Sequence, residues 1–108
     1  MNELELSARM SKRGLNLCKA EGPRNKEIVL LEALAIVIPP RDVSDRTCLK
    51  KVCSWATAGV EAGIFNEWQI YRQILGYALD ASQPPARNPA AVFMSILKKE
   101  LNYVSGKR

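Results

Sequence analysis

Asn88-Pro89-Ala90-Ala91-Val92-Phe93-Met94-Ser95-Ile96-Leu97-Lys98-Lys99-Glu100-Leu101 is the stretch that settles the fold class. It spells out a helix from start to finish. Asn88 suits the N-cap, where a side-chain oxygen takes up an orphan backbone N–H. Pro89 suits the first helical position, where its missing N–H would have been unpaired anyway. Lys98 and Lys99 fall near the end, where the macrodipole favours cations. Phe93, Ile96, Leu97 and Leu101 share one face. A helix this short holds together only when docked, so the rest of the chain must supply a surface to receive it.

The preceding segments supply that surface as helices. Asn66-Glu67-Trp68-Gln69 has the form of a capping box, with Asn66 as cap and Gln69 at the third helical position. The helix it starts runs to about residue 81. Trp68, Tyr71, Leu75, Ala78 and Leu79 lie along one side of it, and Ile70, Ile74 and Tyr77 along another. Apolar over much of its circumference, it belongs at the centre or in a dimer interface. Residues 45–63 read as a further helix, capped by Ser44 or Asp45. Its apolar face is Leu49, Val52, Cys53, Ala56 and Val60, and Gly63 is a left-handed terminator.

The run Ile28–Ile38, broken only by Glu32, is rich in β-branched residues and could be read as a strand. Its length, its Leu and Ala content and Asn25 as a cap favour a helix over 25–38, buried on most of its surface. Pro39-Pro40 ends it. In residues 1–20, Leu4, Leu6, Ala8 and Met10 alternate, while Leu6, Met10, Leu17 and Cys18 fit a helical stripe. The expectation there is a helix broken at Gly14, then a turn at Glu21-Gly22-Pro23, with the structure of segment 1–23 left open. A Pro-rich connector covers 82–87, and the tail 105–108 is expected to fray. The predicted fold is all-α: four to five helices in a compact bundle, a single domain over 1–108. Helices 45–63, 66–81 and 89–103 form its frame, with 25–38 inside.

Composition narrows the function. The chain has 108 residues, 47% apolar and 25% charged, which suits a globular domain rather than disorder. It has no histidine, so the commonest general base and the commonest metal ligand are missing. Cys18, Cys48 and Cys53 form no C-x-x-C pair, and three is one short of a Cys₄ zinc site. Free thiols fit a reducing cytoplasm. Cys48 and Cys53 diverge too far around a helix to bridge. The acidic N-terminus has no signal-peptide pattern, and the apolar run ending at Ile38 is too short to span a bilayer. No phosphate loop, zincin motif or EF-hand loop occurs, and nothing makes Glu61 and Glu67 a catalytic dyad. The expectation is a cytoplasmic, non-enzymatic protein with no cofactor, no metal and no membrane contact.

Net charge is +5. The cations cluster as Lys12, Arg13, Lys19, Arg24 and Lys26, then Arg41, Arg46, Lys50 and Lys51, then Lys98, Lys99, Lys107 and Arg108. Arg46 and Lys50 are one helical turn apart. If these groups converge they make a phosphate-contacting surface. The residues expected to form it are Lys12, Arg13, Arg46, Lys50, Lys51, Lys98 and Lys99. A helix-turn-helix through Gly63 is the sharper alternative. It would make 66–81 the recognition helix, but that segment offers one cation, Arg72, against Glu67 and Asp80. It also puts Gln69 and Arg72 where buried aliphatics are expected. Ordinary hairpin packing suits it better.

Asn88-Pro89, Ala91 and Phe93 also fit the pattern N-P-x-A-x-F. On these residues the segment 88–101 resembles the tail that follows helix-turn-helix regions in some bacterial and plasmid replication or mobile-element proteins. There it packs a short final helix onto the domain. The likeness covers fourteen residues of 108. It implies a nucleic-acid setting and carries over no functional residue. The leading expectation is therefore a small bacterial-type helical module that binds DNA or RNA, or assists a complex that does. The alternative is a protein-interaction adaptor or homodimer, with its partner site at Trp68 and Tyr71.

Overall fold

The computed structural model describes residues 2–83 and 87–103, and they form five α-helices. These are α1 (Glu3–Lys12), α2 (Gly22–Val37), α3 (Val43–Glu61), α4 (Glu67–Ala81) and α5 (Pro89–Leu101). Four of the five start on a side-chain cap. Asn2 accepts the N–H of Glu5 at 2.8 Å, Asp42 that of Asp45 at 3.0 Å, Asn66 that of Trp68 at 2.8 Å and Asn88 that of Ala91 at 3.2 Å. Each cap satisfies one of the donors that a helix start leaves unpaired.

The all-α expectation holds, with shifted boundaries. Helix α1 stops at Lys12, and Gly14 follows with φ +72°, a left-handed conformation that glycine adopts without a Cβ penalty. The break foreseen there is real. Helix α2 begins at Gly22 rather than Asn25, because Pro23 opens its first turn. Asn25 does not cap it; its Nδ2 donates to Glu21 O at 2.7 Å. Helix α3 begins two residues before residue 45. Asp42 is its cap, and Asp45 instead reaches back to accept the N–H of Arg41 at 3.0 Å. Gly63 closes α3 in the left-handed region as expected. Helix α5 ends at Leu101, where Asn102 takes the left-handed C-cap and the Tyr103 N–H returns to Leu97 O. The tail 105–108 lies outside the described residues, as does part of the Pro-rich connector.

Helix α2 is the hub, packed against α1, α3 and α4, while α5 packs on α4. Leu30, Ala33 and Leu34 of α2 are fully buried. They meet Val52, Cys53 and Ala56 from α3, Ile70, Ile74 and Ala78 from α4, and Phe93 and Leu97 from α5 in one cluster. The Ile70, Tyr71, Ile74 and Ala78 side of α4 is thus covered within the chain, while Trp68 is exposed and Leu75 and Leu79 are half-buried. The radius of gyration, 13.0 Å, equals that expected of a domain of this length. No helix among the described residues is long and apolar enough to cross a membrane.

Candidate functional site

Two helix contacts decide where the cations go. Helices α2 and α3 form an antiparallel hairpin across the short Ile38–Asp42 connection. Ser54 of α3 donates to Glu27 Oε2 of α2 at 3.2 Å, which fixes their alignment. One turn back along α3 is one turn forward along α2. Lys50 therefore lies level with Leu31, and Arg46 level with Ala35. Ala35 belongs to a second feature as well. With Ile36 and Pro39 it floors a cleft of about 570 Å³ whose other wall is Arg9, Lys12 and Arg13 of α1. Lys12 and Arg13 on one side, and Arg46 and Lys50 on the other, thus flank the C-terminal half of α2. All four are exposed.

The folding logic of this arrangement is local. Helix α2 has no basic residue in its own last turn, so its unpaired carbonyls leave a partial negative charge there. The cations of α1 stand beside that end. Arg9 is partly neutralised by Glu5 at 3.6 Å, one turn away. No carboxylate lines the cleft.

Helices α3 and α5 touch through a few side chains. Cys48 Sγ lies 3.8 Å from Met94 Sδ, and the Trp55 ring meets that of Tyr103 edge-on at 4.9 Å. Lys51, three residues on from Cys48, and Lys98, four on from Met94, are both exposed near this contact. Lys99 is different. It shares a stripe with the exposed Val92 and Ser95, on the outer face of α5 away from that contact. Lys12, Arg13, Arg46 and Lys50 therefore flank α2, Lys51 and Lys98 lie towards the contact of α3 with α5, and Lys99 lies apart from both groups.

The residues expected to bind a protein partner part company. Trp68 is 63% exposed, whereas Tyr71 is 1% exposed. The Tyr71 hydroxyl donates to Pro23 O at 3.2 Å and sits 2.9 Å from Thr57 Oγ1, which donates to it. Burial pushes its pKa up. Tyr71 is a core strut joining α2, α3 and α4, so it offers nothing to a partner.

Trp68 instead rims a groove of about 740 Å³ between α1 and α4. Leu6, Met10, Leu17, Leu75 and Leu79 give it an apolar floor, and Arg72 stands on its edge. Cys18, placed on the buried stripe by the sequence pattern, is exposed here. The inner face of the indole covers the Lys26 ammonium at 4.2 Å. That ammonium also donates to Ala20 O at 2.7 Å and to Glu67 Oε2 at 2.8 Å. Sequence reading placed Lys26 among surface cations and missed this. The signal available was its position one helical turn before the buried Leu30, on the inner face of α2.

Among the described residues no group of three or more His, Cys, Asp or Glu is placed to hold a metal ion. Cys53 is buried, its pKa pushed up to about 12 by desolvation and by Glu27. Such a thiol is inert at neutral pH. Comparison with family models, with curated proteins and with solved structures gave no match.

Proposed function

We propose that the protein is a non-enzymatic module that binds nucleic acid by phosphate contacts from the α1–α2–α3 face. One observation carries this reading: the hairpin register brings Arg46 and Lys50 opposite Lys12 and Arg13 across α2. Lys51 and Lys98 extend the positive surface past α3. Exposed ammonium and guanidinium groups release condensed counterions when they meet phosphates, and Glu32, Asp42 and Asp45 dilute the positive charge of this face. The bacterial-type setting suggested by the 88–101 segment is of a piece with this. Helix α4 is not part of this face; its exposed side carries Trp68, Gln69, Arg72 and Gln73, one cation only.

The test is a salt titration. Binding to a DNA or RNA probe should weaken linearly in log–log form, with a slope set by the number of phosphates neutralised. Different probe sequences should bind alike, because phosphate contacts position without reading bases. Absence of binding at low salt would remove the proposal.

Protein binding at the α1–α4 groove is the second reading, favoured by the exposure of Trp68. Its occupant would be an amphipathic helix whose carboxylate meets Arg72, which has no ion pair among the described residues. Affinity there would change little with salt.

A further inference from the structure

We infer that the nucleic acid this face accepts is a double helix rather than a single strand. The inference rests on the phosphate-binding reading above and names the substrate class of the same surface. Two independent features of the surface point to it.

The first is that the cations form two rows instead of one. Lys12 and Arg13 lie at the end of α1, Arg46 and Lys50 along the start of α3, and α2 runs between. Packed helices lie about 8–10 Å apart, so rows on opposite flanks of α2 stand at most about 16–20 Å apart. Lysine and arginine side chains reaching from both rows can span a groove about 12 Å wide, the width of the DNA major groove. A single strand has one line of phosphates and can occupy one row. A duplex presents two lines and engages both. Between the rows, α2 offers Glu32 and Ala35 half-buried, with Pro39 exposed just past its end. That strip would face the groove, where a carboxylate is not set against a phosphate.

The second feature is where the aromatic rings are. Proteins that hold single strands stack unpaired bases on exposed aromatic faces. Trp55, Phe65 and Tyr103 pack on one another. Tyr71 and Phe93 are buried, and Tyr77 is half-buried on α4. Trp68 is the exposed ring, and it rims the α1–α4 groove, on α4 rather than on the face between α1 and α3. No ring among the described residues is available between the two rows of cations. A bound single strand would gain no stacking on the protein, whereas a duplex needs none.

The experiment is an anisotropy titration at low salt, using a two-turn DNA duplex and each of its two strands alone. The duplex should bind at least about tenfold tighter than either strand. Two charge-reversal variants refine it: Lys12→Glu with Arg13→Glu, and Arg46→Glu with Lys50→Glu. Each removes one row, and each alone should bring duplex affinity down to the single-strand level. A strand that binds as tightly as the duplex overturns the inference and leaves the phosphate-binding reading standing. A duplex preference that survives loss of either row overturns it too. Failure of all three probes to bind removes both. Circular dichroism of each variant confirms that the helices remain.

Discussion

The Lys26 ammonium lies 2.8 Å from Glu67 Oε2, joining the second turn of α2 to the first residue of α4 across 41 positions of sequence. The lysine side chain is 3% exposed and the carboxylate 27%. Ala20 O and the Trp68 ring take up the remaining donors. Nothing in that arrangement is left to water on the lysine side, which makes the two partners unequal. Glu67→Ala leaves an ammonium buried without its counter-ion and should cost about 3 kcal/mol. Lys26→Met removes the buried charge, keeps the aliphatic stem and frees a carboxylate that already reaches solvent, so it should cost less than half as much. Urea denaturation of the two variants checks the order. Equal losses would mean that the ammonium is already solvated.

The three thiols should separate cleanly in a labelling experiment. Cys18 is exposed and should react first with a thiol reagent at neutral pH. Cys48 is half-buried against Met94 and should follow slowly. Cys53 should react only on unfolding. Its folded pKa, about 12, exceeds the usual 9.0, so in the unfolded chain it loses its proton first. Below pH 9.0 both states hold the proton and stability is unaffected. Between 9.0 and about 12 the unfolded state binds fewer protons, so stability falls as pH rises. Tyr71 and Tyr103, both raised by burial, add to the fall in the same direction above their usual 10.0. A melting temperature unchanged between about pH 8 and about pH 10.5 would contradict the burial of Cys53.

The elements were legible in the sequence where local chemistry sets them. Asn66 and Asn88 cap the helices they were expected to cap, and Gly63 ends α3. The starts of α2 and α3 fall two or three residues ahead of the expected ones: Pro23 opens α2 before Asn25 without a side-chain cap, and Asp42 caps α3 in place of Ser44 or Asp45. Helical periodicity found Phe93, Leu97, Ile70 and Ile74 in the core. It also set Tyr71 on an apolar side, where it is buried, even though the expected partner site included Tyr71; it failed at Lys26, since period alone does not say which polar tip will find a buried partner. Whether scattered cations share a face is tertiary information. It depends on the Glu27–Ser54 and Cys48–Met94 contacts, which join residues 27 and 46 positions apart.

Two helical glycines should respond in opposite ways to alanine. A Cβ at Gly59 would run into the Phe65 ring, which itself packs edge-on against Trp55 at 4.9 Å. Gly59→Ala should therefore destabilise by about 1–3 kcal/mol through overpacking, despite the gain in helix propensity. A Cβ at Gly76 meets nothing within 4 Å. Gly76→Ala should stabilise by about 0.5–1 kcal/mol. Thermal melts of the pair decide the matter, and a stabilised Gly59→Ala would show that Phe65 is free to move aside.

Docking of the last helix can be tested from its core and from its cap. Phe93 is fully buried beneath α5 and should cost about 3–5 kcal/mol when replaced by alanine. Asn88 supplies one hydrogen bond, to the Ala91 N–H, and Asn88→Ala should cost about 1 kcal/mol. A loss below about 1 kcal/mol at Phe93 would mean that α5 is peripheral to the fold rather than part of its core.

The phosphate-binding reading separates cations that share a charge but differ in position. Lys50 and Lys51 adjoin on α3, on the side opposite the buried Val52, Cys53 and Ala56. Lys99 lies on the outer stripe of α5 with Val92 and Ser95. If binding followed net charge alone, reversing any of them would weaken it per charge by the same amount. If it follows the face between α1 and α3, reversal of Lys50 and Lys51 to Glu should weaken binding to all sequences alike. It should also lower the salt slope by about 2, one for each phosphate that is no longer neutralised. Lys99→Glu should leave the slope nearly as it was. All three residues are exposed, so neither variant threatens the fold. A Lys99→Glu loss per charge equal to that at Lys50 and Lys51 would place the binding surface elsewhere.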